Sequence, residues 1–385
     1  MKKPIFYGSI FLLFLISYVV FPGKIDAYGT YLRTIELLVL ISICGSYFFK
    51  LLILSDMKES DENYHYFFSR EVERNMYAVG FFIFLLTGIG QILSRLMQLT
   101  VVGSEAFWNA GWIMITSMNI GIVSWVQPLL LLVLYLQTFY RKHKWFLKSF
   151  LFIALLYTFA WSSHAVHHHL LISHTIHLSV ISIWFGGLIG FIMYSFQVPK
   201  KKSVLKFIVE KLQLFSQIAI CSIVFILFSG MILGVVYLES WNHLFESNYG
   251  LTLLWKMVIF SPILLIAVFH KYVWLPKLIS MDIVEGETPE RNSTIVRLFW
   301  GLRIELILAI IVLILAGFLS STSLPEKENH QHNSHHGTGI MNINVEKYEL
   351  ADSIEARRTK SYETNFLECE RSKSLCNQRI FRLFS

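Results

Sequence analysis

A chain of 385 residues in which 55% are hydrophobic, 32 are Phe and 15% are charged is too apolar for a soluble globular domain, where charged residues make up about a quarter. The 33 Lys and Arg outnumber the 26 Asp and Glu for a formal net charge of +7, yet no basic face with an aromatic platform accompanies the excess, which excludes nucleic acid as a partner. There is no nucleotide-cradling loop, no DKTGT-like phosphorylation sequence and no dinucleotide fingerprint, so no enzyme chemistry is expected and pumping driven by nucleotide hydrolysis would need a partner.

A helical membrane span needs about 20 mostly apolar residues. Nine stretches approach that length: 5–21, 31–54, 76–98, 112–139, 146–163, 171–197, 213–238, 251–275 and 300–320. The expected fold class is therefore all-α, a polytopic transmembrane bundle of eight or nine spans with a flexible outer C-terminal tail. The count turns on the first stretch. Residues 1–22, with Lys2 and Lys3 before a short apolar run, read as a first span or as a signal-like anchor; Ile25-Asp26-Ala27 lacks a small-x-small cleavage pattern, which favours retention.

Residues 23–161 supply the N-terminal membrane helices. In span two Glu36 follows Arg33 by three residues, a spacing that permits a local ion pair, and an ionisable residue within a span is a functional candidate by default. Ser69 to Asn75, SREVERN, reads as a capped lead-in to span three, with Glu71 and Glu73 near its start.

The richest stretch is His164 to Leu188, HAVHHHLLISHTIHLSVISIWFGGL. His164, His167, His168 and His169 close span five, and His174 and His177 open span six. Imidazole is a good ligand for copper, zinc and haem iron, and expensive to bury unpaired. His164 and His168 share a face if the helix continues another turn, as His174 and His177 do across a spacing of three. The short turn makes the two helices neighbours, so these four are expected to approach one ion. His167 and His169 equally suit a polar cap. His177, about a turn inside the apolar region, reads as a ligand or relay, or alternatively as a core histidine with one hydrogen bond.

Further along span six, Trp184 lies two turns from His177 on the same face, and Gly186-Gly187 invite a closely packed neighbour. Segment 203–217 suits a short interfacial helix continuous with span seven. Within that span Ser229-Gly230, with Gly234, forms another small-residue surface. The methionines are isolated, with no MxxxM pair for cuprous ion. Cys44 and Cys221 read as small apolar groups, and Cys369 and Cys376 carry no disulfide framework. Residues 279–322 are an inner linker and the final span. Residues 323–385 form an extracellular tail with too few aliphatic residues for a core, whose segment ENHQHNSHHGTG holds His330, His332, His335 and His336. A flexible extension and a disrupted former outer domain both fit that tail.

Lys and Arg set the orientation. Along an alternating path, twenty fall in the connections on the N-terminal side; only Lys24, Arg33 and Arg95 fall on the other side before the last span. The N-terminus is expected inside, and the histidine loop, the connection 239–250 and the tail outside a cytoplasmic membrane.

Over Ser162 to Leu278 the chain resembles the copper resistance protein D family. The likeness rests on His177 with Trp184, Gly186 and Gly187; on Phe215-Ser216 with the later Ser229-Gly230; and on Tyr249, Gly250, Thr252, Leu253 and Lys256, closed by Pro276 and Leu278. Ser163-His164 matches the turn before that domain. The resemblance implies copper passing inward from the outer face, with outer histidines as first contacts. An extracytoplasmic copper-binding protein and a cytosolic copper acceptor are the implied partners. A haem-bearing or oxidase-assembly membrane protein is the alternative, and a structural or sensing role a third.

Overall fold

The computed structural model describes residues 27–55, 69–99, 103–140, 145–166, 169–195, 202–238, 240–282 and 289–322. The first apolar stretch, His167, His168 and the histidine-containing tail lie outside those residues. Among the described residues all the regular structure is helical: α1 (Ala27–Leu52), α2 (Arg70–Leu99), α3 (Glu105–Ser117), α4 (Asn119–Gln137), α5 (Trp145–Trp161), α6 (Leu171–Ser195), α7 (Lys202–Leu238), the short α8 (His243–Glu246), α9 (Asn248–Phe269), α10 (Leu275–Asp282) and α11 (Pro289–Ser321). Seven described helices are long and apolar enough to cross a membrane: α1, α2, α4, α6, α7, α9 (with its continuation) and α11. The chain is an all-α, multi-spanning membrane bundle. At 17 residues, α5 runs about 25 Å at ~1.5 Å per residue, somewhat short of the roughly 30 Å hydrocarbon layer.

Packing ranks α1 and α6 at the centre. Helix α6 carries apolar residues all round, as expected where neighbours cover every face, and packs on α1, α5, α7 and α11. Glycines set its closest approach. A Cβ on Gly45 of α1 would sit 2.8 Å from the Gly186 Cα, one on Gly190 would meet the Phe49 ring at 2.6 Å, and one on Gly187 would collide with the Phe215 ring. Removing side chains lets helix backbones approach where no hydrophobic drive separates helix from lipid.

Two expectations change in detail. The stretch 112–139 is two helices, because Met118 adopts extended backbone (φ −90°, ψ 141°) between α3 and α4. Gly121 then fits against the last turn of α3, with its missing Cβ directed at the Met114 carbonyl. The final helix starts at Pro289, well before residue 300, since its polar first turns continue the same helix beyond the apolar run. Segment 203–217 is continuous with span seven, within the 37-residue α7.

Polar clusters pin both ends of the bundle. At the end bearing the histidines, Arg33 Nη1 donates to both Glu36 oxygens at 3.1 Å. Its Nη2 donates to the Phe159 carbonyl at 3.0 Å and to Ser162 Oγ at 2.6 Å, and the guanidinium lies 3.7 Å from the Phe159 ring centroid. Gln91 Nε2 donates to Glu36 Oε2 at 2.7 Å. At the opposite end, Glu73 of α2 accepts from Tyr77 at 2.5 Å, from Lys50 of α1 at 3.3 Å and from Lys148 of α5. Both acids are buried and paired, as an ion inside a membrane protein must be. The lead-in SREVERN is capped as expected, the Val72 amide donating to Ser69 Oγ at 3.3 Å.

Candidate functional site

A cavity of about 530 Å³ opens at the histidine end, enclosed by α6, α7, α9 and α11 with contributions from α1 and α5. His164, His174, His177, Trp184, Gly230 and Lys256 are among its lining residues. The alignment of His177 and Trp184 follows from their seven-residue separation along α6, two helical turns.

Each imidazole on α6 is held by a serine. The Ser229 hydroxyl donates its one proton to the Phe225 carbonyl at 2.5 Å, so toward His177 its oxygen accepts. His177 Nδ1–H donates to that oxygen at 2.8 Å, and the Nε2 lone pair is left for a ligand. His174 repeats the logic. The Ser163 hydroxyl donates to the Ala160 carbonyl at 2.6 Å, and His174 Nδ1–H donates to Ser163 Oγ at 3.0 Å. A histidine whose second nitrogen is fixed by a hydrogen bond is the usual form of a metal ligand, since that bond selects tautomer and ring orientation. Gly230 leaves room beside the ring: a Cβ there would lie 3.3 Å from His177 Cε1.

His164 behaves differently from the expected continuation of α5. The helix ends at Trp161, and His164–Val166 forms a 3₁₀ turn. Because a carbonyl only accepts, His164 Nε2–H donates to the Thr322 carbonyl at 3.1 Å, tying the turn to the end of α11. His169 is exposed with φ 56°, a left-handed residue that reverses the chain into α6. Among the described residues no group of three or more His, Cys, Asp or Glu is placed to hold a metal ion; His164, His174 and His177 line one cavity, and His168, the fourth histidine expected to approach an ion, lies outside the described residues.

The remaining candidates divide by location. Trp184 lines the cavity, 5% exposed. Gly186 and Gly187 face α1 and Phe215 instead. Glu36 is buried in the Arg33–Gln91 cluster beside the cavity wall residue Leu37. His270 lies near the far end, where a π turn (His270–Trp274) follows α9 and its Nδ1 is 3.2 Å from Glu305 Oε1. Sequence reasoning missed the tethering roles of Ser163 and Ser229 and the ion cluster around Glu73. The signal for the serines was the SSH and SG context already noted; for Glu73 nothing local marks three helices converging on one carboxylate.

Two sequence families match the chain: copper resistance protein D-like, N-terminal domain, over residues 25–173, and copper resistance protein D over residues 209–319. The chain belongs to the copper resistance protein D family. Searches of curated proteins and of solved structures return no match. As a copper resistance protein D family member it is a multi-pass membrane protein of copper handling. The matched segments reach beyond both ends of Ser162–Leu278, taking in the N-terminal helices that carry Arg33, Glu36 and Glu73 and leaving out residues 174–208.

Proposed function

We propose that the chain carries copper inward across the cytoplasmic membrane, receiving the ion at its histidine end. The observation that carries this reading is the pair of serine-tethered imidazoles, His174 and His177, one turn apart on α6 and lining one cavity. Two imidazole donors suit copper, and fewer than three strong ligands suit a cargo that must leave. The Lys and Arg asymmetry supports an outer position for this end. His164, His167, His168 and His169 then form the mouth, and His330, His332, His335 and His336 of the tail raise the local copper concentration, accepting it from an extracytoplasmic copper-binding protein. Trp184, Gly186 and Gly187, with Ser229 and Gly230, hold the packing along which the ion moves, and Glu36 fixes that end through Arg33. A cytosolic copper acceptor takes the ion at the inner face.

The test is uptake of labelled copper against zinc into cells and vesicles containing the full chain. His177→Ala is expected to abolish copper accumulation, whereas removal of residues 328–385 lowers it only at limiting external copper. Equal accumulation by His177→Ala and the parent refutes the role of His177. A Soret band with stoichiometric iron in the purified protein replaces copper with the haem reading.

A further inference from the structure

The cavity is far larger than a metal ion needs. Its volume of about 530 Å³ falls within the roughly 300–1,000 Å³ of sites that enclose small organic molecules, mostly apolar with a few placed polar groups. Its walls fit that description, with Ile181, Trp184, Ile226, Phe260 and Leu313 among them.

Helices α7 and α9 leave a gap in its side. They meet at the histidine end, where the Tyr237 and Tyr249 rings lie 6.1 Å apart and Leu253 approaches Gly234. Toward the other end α7 packs on α10 instead of α9. Between these closures the lining residues Leu227, Met231, Val235 and Met257 are each at least half exposed. In a membrane such apolar surface faces acyl chains, so the gap is a window onto the bilayer.

Lys256 gives the cavity its charge. It projects from α9 into the lining, and among the described residues no carboxylate or other acceptor bonds its ammonium. A lysine within a span calls for a partner of opposite charge.

We propose that this cavity is a ligand site entered sideways from the bilayer, occupied by an anionic phospholipid. The lipid's negative head pairs with Lys256, while an acyl chain crosses Trp184 and Phe260 and leaves through the window between α7 and α9. Charge complementarity selects an anionic over a zwitterionic lipid, and the window accounts for how a molecule with a long apolar chain gains access. The site stands whether or not copper crosses the bundle.

The test uses the full chain in nanodiscs of phosphatidylglycerol or phosphatidylcholine carrying brominated acyl chains, which quench tryptophan on contact. The Trp184 contribution is taken as the difference between the parent and Trp184→Phe. Its fluorescence is expected to be lost in brominated phosphatidylglycerol and retained in brominated phosphatidylcholine. Lys256→Gln should remove that difference, and Lys256→Arg should keep it while showing that the position tolerates change. Equal quenching by both lipids, quenching by neither, or a preference that survives Lys256→Gln overturns the proposal. Copper transport is not the readout, so failure of the import reading leaves the result standing.

Discussion

The serine hydroxyls decide what the histidines present. Ser229 and Ser163 each commit their proton to a backbone carbonyl and their oxygen to an imidazole Nδ1–H. Ser229→Ala removes the acceptor, strands a buried N–H and releases the tautomer of His177. Loss of such a supporting bond typically lowers metal affinity by about 10–100-fold. Copper uptake measured against concentration should therefore shift to higher copper in Ser229→Ala, with half-saturation moving while the amount of protein in the membrane stays constant. Ser229→Thr keeps the hydroxyl and should stay near the parent. That histidines gather here was legible from the sequence; which nitrogen each one offers was not, because Ser229 lies 52 residues from His177.

Close helix contact carries the element scale. The crossing of α1 and α6 has backbone against backbone at Gly45 and Gly186, so a side chain at either position separates two central helices. Gly186→Leu should lower the thermal unfolding temperature of the detergent-purified protein and reduce its yield in membranes, whereas Gly103→Ala, whose Cβ meets nothing within 4 Å, should cost only the strain of its positive φ of 84°. Glu73 makes the second case. It joins α1, α2 and α5 through Lys50, Tyr77 and Lys148. Breaking a buried pair by removing one partner costs about 3–5 kcal/mol, so Glu73→Ala should unfold at markedly lower temperature. Paired replacement of Glu73 and Lys148 by apolar residues should recover part of the loss. The sequence placed Glu73 in a capped helix start; it held no sign that a lysine 75 residues away would meet it there.

Orientation and enclosure belong to the whole molecule. With the histidine end outside, Ser240→Cys, in a chain whose own cysteines are replaced by alanine, should react with a membrane-impermeant maleimide added to intact cells. Ser280→Cys should react only after permeabilisation. The reverse pattern would put the histidine mouth in the cytosol and remove the import reading. The cavity, too, exists only at this scale: its lining comes from α1, α5, α6, α7, α9 and α11 together.

The amino-acid sequence by itself determined that the chain crosses a membrane repeatedly as helices, since buried backbone in lipid must bond within its own segment and the apolar runs are long enough to do so. It also determined the family pattern, the Arg33–Glu36 pairing three residues apart, and the shared face of His177 and Trp184, all consequences of local helical period. Tertiary structure alone decided the break at Met118, the serine partners of the histidines, the ion cluster at Glu73, and the tie of His164 to the Thr322 carbonyl. Those depend on which distant helices lie side by side, and helix period says which way a residue faces without saying what it will face.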